Sequence, residues 1–513
     1  MKKSLKYICF FLTIGVGFTL SSCEKDFEKI NNDPNNPKAV PNSYYLAGAQ
    51  RGLSDHTFDI WWGTNVGNQL AQYMSSNQYS SESRYSFRTA TTNGYFSRFY
   101  AGGLNGGRRT GSDLFVGGLY ELDQIIANCK ADPGATSASG NPNNQIAVAT
   151  LLKAWLYQNI TDCWGDVPYT EALNPDNNRA PKYDRQSVIY SGLISDINTA
   201  LGLIDAGQPG PVGDLIYSGD MDLWKKFANS LKMRLAIRMA DVNGAAAQTA
   251  FEEANASGAF TSNADNALFP YADGSDANPF YYNRFIDKRN DYAASNVLLD
   301  YLVANSDPRL PCFFNKATAS GNWVGEVYGL SEANAAATPN SSVSLPSDLM
   351  VSASLPGIMM DYAQVEFMMA EAAERGWAVS GAQTHYDAGV TASIEFWTDL
   401  NGSPASTGDI TAYLAKDSVN YTHASSGANY KEKIGRQKWI ALFNQGIQGW
   451  AEWRRLDFGV LQLPADGNLE GTGIPKRMKY AQDEQTLNSG NYSSAVAAQG
   501  ADTQDTRVWW DVN

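Results

Sequence analysis

Histidine is scarce in this sequence: His56, His385 and His423 are the only three in 513 residues. Their separations exclude an HExxH zinc helix, and a histidine-based triad would have to be assembled at long range. Cysteine is nearly as rare. Of Cys9, Cys23, Cys129, Cys163 and Cys312, no two have the CxxC spacing of a structural zinc site. The chain also lacks a GxSxG nucleophile elbow, a GxxxxGK[ST] phosphate loop and a GxGxxG turn in a βαβ context. No catalytic residue, metal site or cofactor is therefore predicted. Paired carboxylates for glycoside hydrolysis leave no signature in spacing, and a secreted glycoside hydrolase stays as an alternative. Cations are in deficit, 39 Lys+Arg against 53 Asp+Glu for a net charge of −14. Polyanion binding rests on cationic neutralisation of phosphates, so nucleic acid is not expected as a partner. Beyond the first residues there is no uninterrupted apolar run of the ~20 residues a transmembrane helix needs.

What is present is a globular composition, 43% hydrophobic and 18% charged, with an aromatic content of 12%. Many of the Trp and Tyr residues fall in stretches rich in Asn, Gly and Ser. Flat rings on such loops suit the C–H faces of sugars, while Asn, Asp and Arg bond the hydroxyls. The N-terminus has the basic residues Lys2, Lys3 and Lys6 followed by an apolar run from Tyr7 to Leu20, which reads as a secretory signal over residues 1–22. Leu20-Ser21-Ser22-Cys23 resembles a bacterial lipobox, so Cys23 is the expected lipidation site and first mature residue. The acidic stretch Glu24-Lys25-Asp26-Phe27-Glu28 resembles the surface-export signal of Bacteroidetes lipoproteins. Loss of the leader would take the net charge to −17, and would leave Cys129, Cys163 and Cys312, enough for at most one disulfide. Asn31 to Pro37, dense in Asn and Pro, makes 23–40 an extended lipidated tether and 41–513 the folded body.

Within the body the apolar period is helical: Val148, Leu152, Trp155 and Leu156 in one segment, Phe227, Leu231, Leu235 and Met239 in another. Ile440, Phe443, Ile447, Trp450 and Arg454 would share one face of a long final helix. Helices come in pairs, 144–160 with 186–204, 222–241 with 245–257, 359–377 with 382–400, and 430–444 with 445–457. The predicted fold is mainly α, a tetratricopeptide-like scaffold of helical hairpins with long loop insertions carrying a few short strands. The insertions are 57–113, 261–295 and 315–357, and the strands are expected there. Glu366, Glu371, Arg454 and Arg455 lie inside helices, where pairing between packed helices is the expected role.

Five local motifs then carry a resemblance. Gly165-Asp166-Val-Pro168-Tyr169-Thr-Glu171-Ala, Phe227 through Arg238 (FANSLKMRLAIR), Asp307-Pro-Arg309, Lys433 through Arg455, and the terminal Val508-Trp509-Trp510-Asp511 resemble landmarks of the SusD/RagB-like outer-membrane nutrient-binding lipoproteins. The resemblance spans nearly the whole chain. It implies a non-catalytic glycan-binding protein, lipid-anchored and exposed at the outer-membrane surface, that passes oligosaccharide to a SusC-like TonB-dependent transporter. A peptide ligand within the same import system is the alternative.

The ligand site is expected as an aromatic platform built from the insertions. Trp323, between glycines with little apolar company, and Trp62 are placed as stacking residues, with Tyr73, Tyr79 and Tyr328 as secondary rings. One of Trp61 and Trp62 should be core. Asn77, Arg289 and Asp291 are placed as hydrogen-bonding partners because they lie in the same loops.

Overall fold

The structure, a computed structural model, describes residues 40–101 and 118–512. The signal segment 1–22, Cys23, the tether up to residue 39 and the glycine-rich stretch 102–111 lie outside the described residues. No described helix is long and apolar enough to cross a membrane.

The main helices are α1 (Asn42–Phe58), α2 (Thr89–Ala101), α3 (Leu119–Ala131), α4 (Pro142–Trp164), α5 (Gln186–Leu203), α6 (Met221–Arg238), α7 (Gly244–Ser257), α8 (Asn296–Asn305), α9 (Tyr362–Glu374), α10 (Ala382–Leu400), α11 (Tyr430–Ala441) and α12 (Gly446–Leu456). Their starts are written in the sequence. Asn141 accepts from the amides of Asn143 and Asn144 ahead of Pro142, Asp220 from those of Asp222 and Leu223, Asp361 from Gln364, and Asn429 from Glu432. The four expected hairpins form: α4 packs on α5, α6 on α7, α9 on α10 and α11 on α12. Residues from Asn42 onward make one compact unit.

The expected long final helix is broken. Asn444 takes a left-handed conformation, φ 63°, and the chain restarts as α12 at Gly446. Asn tolerates that conformation because its short polar side chain bonds locally. Ile440, Phe443, Ile447, Trp450 and Arg454 stay buried, since α12 folds back onto the same core.

The described residues contain three antiparallel two-stranded sheets: β1 (Met74–Ser76), β2 (Val167–Pro168), β3 (Tyr183–Asp184), β4 (Ala267–Phe269), β5 (Tyr292–Ala294) and β6 (Gly357–Met360) pair as β1–β5, β2–β3 and β4–β6. β2 and β3 lie outside the insertions, contrary to expectation. Gly165, φ +82°, reverses the chain after α4, and Asp184 then accepts from the amide and hydroxyl of Thr170. The first insertion is also less of a loop than expected. It contains α2 and a π-helical segment, Ile60–Asn68, started by Asp59, whose carboxylate accepts from the amides of Trp62 at 2.7 Å and Gly63 at 3.4 Å.

The helical layers are held by a buried ionic network. Arg455 bonds both oxygens of Glu371 at 2.5 and 2.6 Å and reaches Glu452 at 2.6 Å. Arg238 joins Asp162 at 2.7 Å to Glu452 at 3.0 Å, and Lys438 reaches Glu452 at 3.1 Å. Asp162 also accepts from Tyr190 and from the Trp510 indole, while Arg454 lies over Trp450 at 3.4 Å. Glu366 bonds His385 Nδ1 at 2.6 Å between α9 and α10. The helical acids and arginines are structural, as their setting between hairpins implied. Cys129, Cys163 and Cys312 are free, buried thiols, and burial pushes Cys312 up to about 12.

Candidate functional site

The three insertions meet at one place. β1 from the first pairs with β5 from the second, with Ser75 opposite Ala293. The third adds to β5 through Glu326 N–H to Ala294 O at 2.8 Å and Ala294 N–H to Ser344 O at 2.8 Å. Asn77 stitches all three: its amide donates to Asp291 O at 3.0 Å and its side chain to Asn340 Oδ1 at 2.7 Å, while Asn340 Nδ2 donates to Asn290 O.

Beside this junction an open cleft of about 630 Å³ is lined by Trp61, Gln78, Tyr79, Glu82 and Arg88 of the first insertion and by Asn283, Asp287, Arg289 and Asp291 of the second. Two rings face it. Trp61 is half-buried and Tyr79 is 49% exposed. The Arg88 guanidinium lies 5.2 Å from the Trp61 ring centre and 5.6 Å from that of Tyr79, and Arg289 lies 4.8 Å from Tyr79. The arginines are fixed in turn, Arg88 by Glu82 at 3.0 Å and Arg289 by Asp291 at 2.8 Å. Burial pushes the Glu82 carboxyl up, with Arg88 pulling it the other way. Tyr79 itself is held in a left-handed conformation, φ 55°, by Glu332, whose two oxygens accept the Tyr79 amide at 3.2 Å and the Ser80 amide at 2.9 Å. A strained backbone pinned from another segment is a pre-organised ring. The cleft thus offers two fixed apolar faces ringed by donors and acceptors, which is the chemistry of a polyhydroxylated ligand.

A second hollow of about 280 Å³ lies across the Arg289–Asp291 pair, which lines both. Its walls come from the second and third insertions, including Arg284, Phe285, Lys316, Asn340 and Asp348.

The predicted residues divide. Tyr79, Arg289 and Asp291 line the first cleft, and the latter two line the second as well. Trp323 is half-buried against the hydrophobic core, with Lys316 Nζ 5.7 Å from its ring centre, and lines neither hollow. Trp62, Tyr73 and Tyr328 are core residues at 2%, 0% and 2% exposure and present no free face. Trp62 is stacked on Trp164 at 5.0 Å, Tyr73 donates to Trp439 O at 2.6 Å, and Tyr328 donates to Gln69 O at 2.7 Å. Their surroundings in sequence are polar because the insertions fold onto the helices through exactly these rings. Asn77 is buried and serves as the clip described above. Sequence reasoning missed Trp61 and Arg88. The adjacent Trp pair pointed to one exposed ring, but the π-helical winding that turns Trp62 inward and Trp61 outward has no signature in the pattern.

A family model described as "starch-binding associating with outer membrane", of SusD-like type, matches residues 34–481. Among solved structures, a chitin-binding protein is similar with TM-score 0.76 and 28% identity, covering 92% of this chain and all of its own. A SusD homologue from Bacteroides uniformis has TM-score 0.75 and 25% identity over 92% of this chain and 100% of that one. A chitin-binding SusD homologue from Flavobacterium johnsoniae, TM-score 0.72 over 91% of this chain and 99% of its own, shares the fold at 22% identity. No curated protein matches the sequence significantly.

Proposed function

The chain belongs to the SusD-like family, whose members bind rather than catalyse, and from that premise we propose that it captures oligosaccharide at the cell surface for delivery to a SusC-like TonB-dependent transporter. The observation that carries this reading is the pair of accessible rings, Trp61 and Tyr79, that line a polar cleft beside Arg88 and Arg289, with the Tyr79 backbone fixed by Glu332. Two similar structures are of chitin-binding proteins, which supports a carbohydrate as the ligand. The family description, association with the outer membrane, fits a lipoprotein with its signal at 1–22, a lipidated tether from Cys23 to residue 40 and a binding body over 41–513.

The test is calorimetry on the full chain in detergent with chito-, malto- and xylo-oligosaccharides. Trp61→Ala and Tyr79→Ala should each weaken binding of the best probe by about thirtyfold, the loss of about 2 kcal/mol typical of a buried aromatic contact. Unchanged affinity in both variants, with circular dichroism intact, removes the cleft from the reading. Binding of peptides and of no saccharide would favour the peptide alternative, and cleavage of a probe would favour the hydrolase.

A further inference from the structure

The two clefts differ in charge. In the first, both arginines are closed into pairs, Arg88 with Glu82 and Arg289 with Asp291, and Asp287 adds a further negative charge. The second also contains Arg284 and Lys316, against a single remaining carboxylate, Asp348. Asp348 is held by Asn315 Nδ2 at 3.0 Å. The charges of Arg284 and Lys316 rest on ring faces instead, 5.8 Å from the Phe285 centre and 5.7 Å from the Trp323 centre, and neither makes an ion pair among the described residues. A ring face stabilises a cation without neutralising it, so both charges stay available to a ligand. The setting adds weight: in a chain of net charge −14, two cations left open in one hollow stand against the general field.

The hollow is continuous in its walls with the first cleft, because Asn283, Arg289, Asp291 and Tyr292 line both. One chain of sugars crossing the Arg289–Asp291 ridge would place its units on either side. We propose that the second hollow is a subsite for an anionic unit, so that the ligand is an acidic oligosaccharide whose apolar sugar faces lie on Trp61 and Tyr79 and whose carboxylate or sulfate reaches Arg284 and Lys316. This rests on the glycan reading of the first cleft. The guanidinium fork matches a planar carboxylate in two places, whereas the ammonium acts as a point charge for either anion.

The probes are hexasaccharides of equal length: chitohexaose as the neutral case, hyaluronan and oligogalacturonate for carboxylate alone, and chondroitin sulfate for sulfate added to carboxylate, so that a response to the last alone points to sulfate. Calorimetry is run on the full chain in detergent at low and high salt. At least one acidic probe should bind tenfold or more tighter than chitohexaose at low salt, with the preference shrinking at high salt as screening shortens the reach of the exposed charges. Arg284→Gln with Lys316→Gln should erase the preference, so that the acidic probes bind the double variant no more tightly than chitohexaose does. Which acidic probes respond separates carboxylate from sulfate. If a neutral probe binds best, loses affinity with Trp61→Ala and ignores the charge variants, the glycan reading stands and the anionic subsite is overturned. A preference that survives both substitutions overturns it too, by putting the anion elsewhere. If no saccharide binds, the glycan reading itself fails and takes the subsite with it.

Discussion

Glu326 is a carboxyl buried to 1% exposure where the third insertion joins β5. Among the described residues neither of its oxygens has a well-formed hydrogen bond, although the Ser75 hydroxyl faces them, and burial lifts its pKa to about 7 from the usual 4.5. A group whose folded pKa lies above its unfolded value binds its proton more tightly when folded. Its contribution to stability is complete below pH ~4.5 and is lost as pH rises through ~7, with a span on the order of 3 kcal/mol at most. Glu326→Gln removes that titration, so the variant should be more stable than the wild type at pH 8 and have a flatter stability curve between pH 5 and 8. Asp59, also raised by burial to about 7, adds a similar slope, so the measurement is the difference between the two proteins in urea unfolding across pH. Parallel curves would show that Glu326 is solvated in solution. The position had no signature in sequence: Glu326 follows Trp323-Val-Gly325 in an exposed-looking loop, and nothing local reveals that its amide pairs with Ala294 of β5.

At the scale of helices, the motifs that carried the resemblance turn out to serve the scaffold. Asp162, just before Gly165-Asp166, accepts from Arg238 of the FANSLKMRLAIR helix, and the terminal Trp510 donates to it as well. Arg309 of the Asp307-Pro-Arg309 turn is buried, bonded to Asp307 at 2.7 Å, Ser393 and Gln437. The hairpins were legible because their helices carry apolar stripes and the first helix of each carries its own cap, Asn141, Asp220, Asp361 and Asn429. The cleft was not, because Tyr79 takes its orientation from Glu332, far away in the sequence, and Trp61 from a π-helical winding that leaves no mark on the pattern. Glu452 tests the network. It faces Arg238, Lys438 and Arg455, which hold its carboxyl well below the usual range against the opposing cost of burial. Glu452→Ala leaves three buried cations with one carboxylate fewer, and should cost about 3–5 kcal/mol in chemical unfolding. Gly446→Ala tests the turn between α11 and α12 separately, since its Cβ would fall 2.1 Å from the Gly67 carbonyl carbon, a backbone atom with no freedom to give way. A cost of under 1 kcal/mol for Glu452→Ala would mean that the cations find water or other partners once the acid is gone.

At the scale of the whole molecule, the proposed lipid on Cys23 and the proposed transporter are two separable ways to hold the protein at the membrane. The described residues contain no helix able to cross a bilayer, and the family description is of association with the outer membrane. Either the lipid on Cys23 or a transporter beneath the body would satisfy it. A single acyl chain anchors only marginally, so an anchor at Cys23 would need the two or three chains that such a cysteine carries to be stable. The two attachments separate by substitution of Cys23 and by removal of the transporter. If lipid dominates, Cys23→Ala should move the protein from the outer-membrane fraction to the soluble one, in cells with or without the neighbouring transporter. If the transporter dominates, Cys23→Ala should stay membrane-bound and protease-accessible on intact cells, and co-purify with a β-barrel from mild detergent. The lipid reading predicts release, measured by fractionation and immunoblot, and persistence of Cys23→Ala at the membrane in a strain lacking the barrel would show that neither attachment accounts for retention. With both in place, Cys23→Ala should weaken retention while leaving the ring-dependent saccharide affinity unchanged, because the cleft over Trp61 and Tyr79 is built entirely from the body.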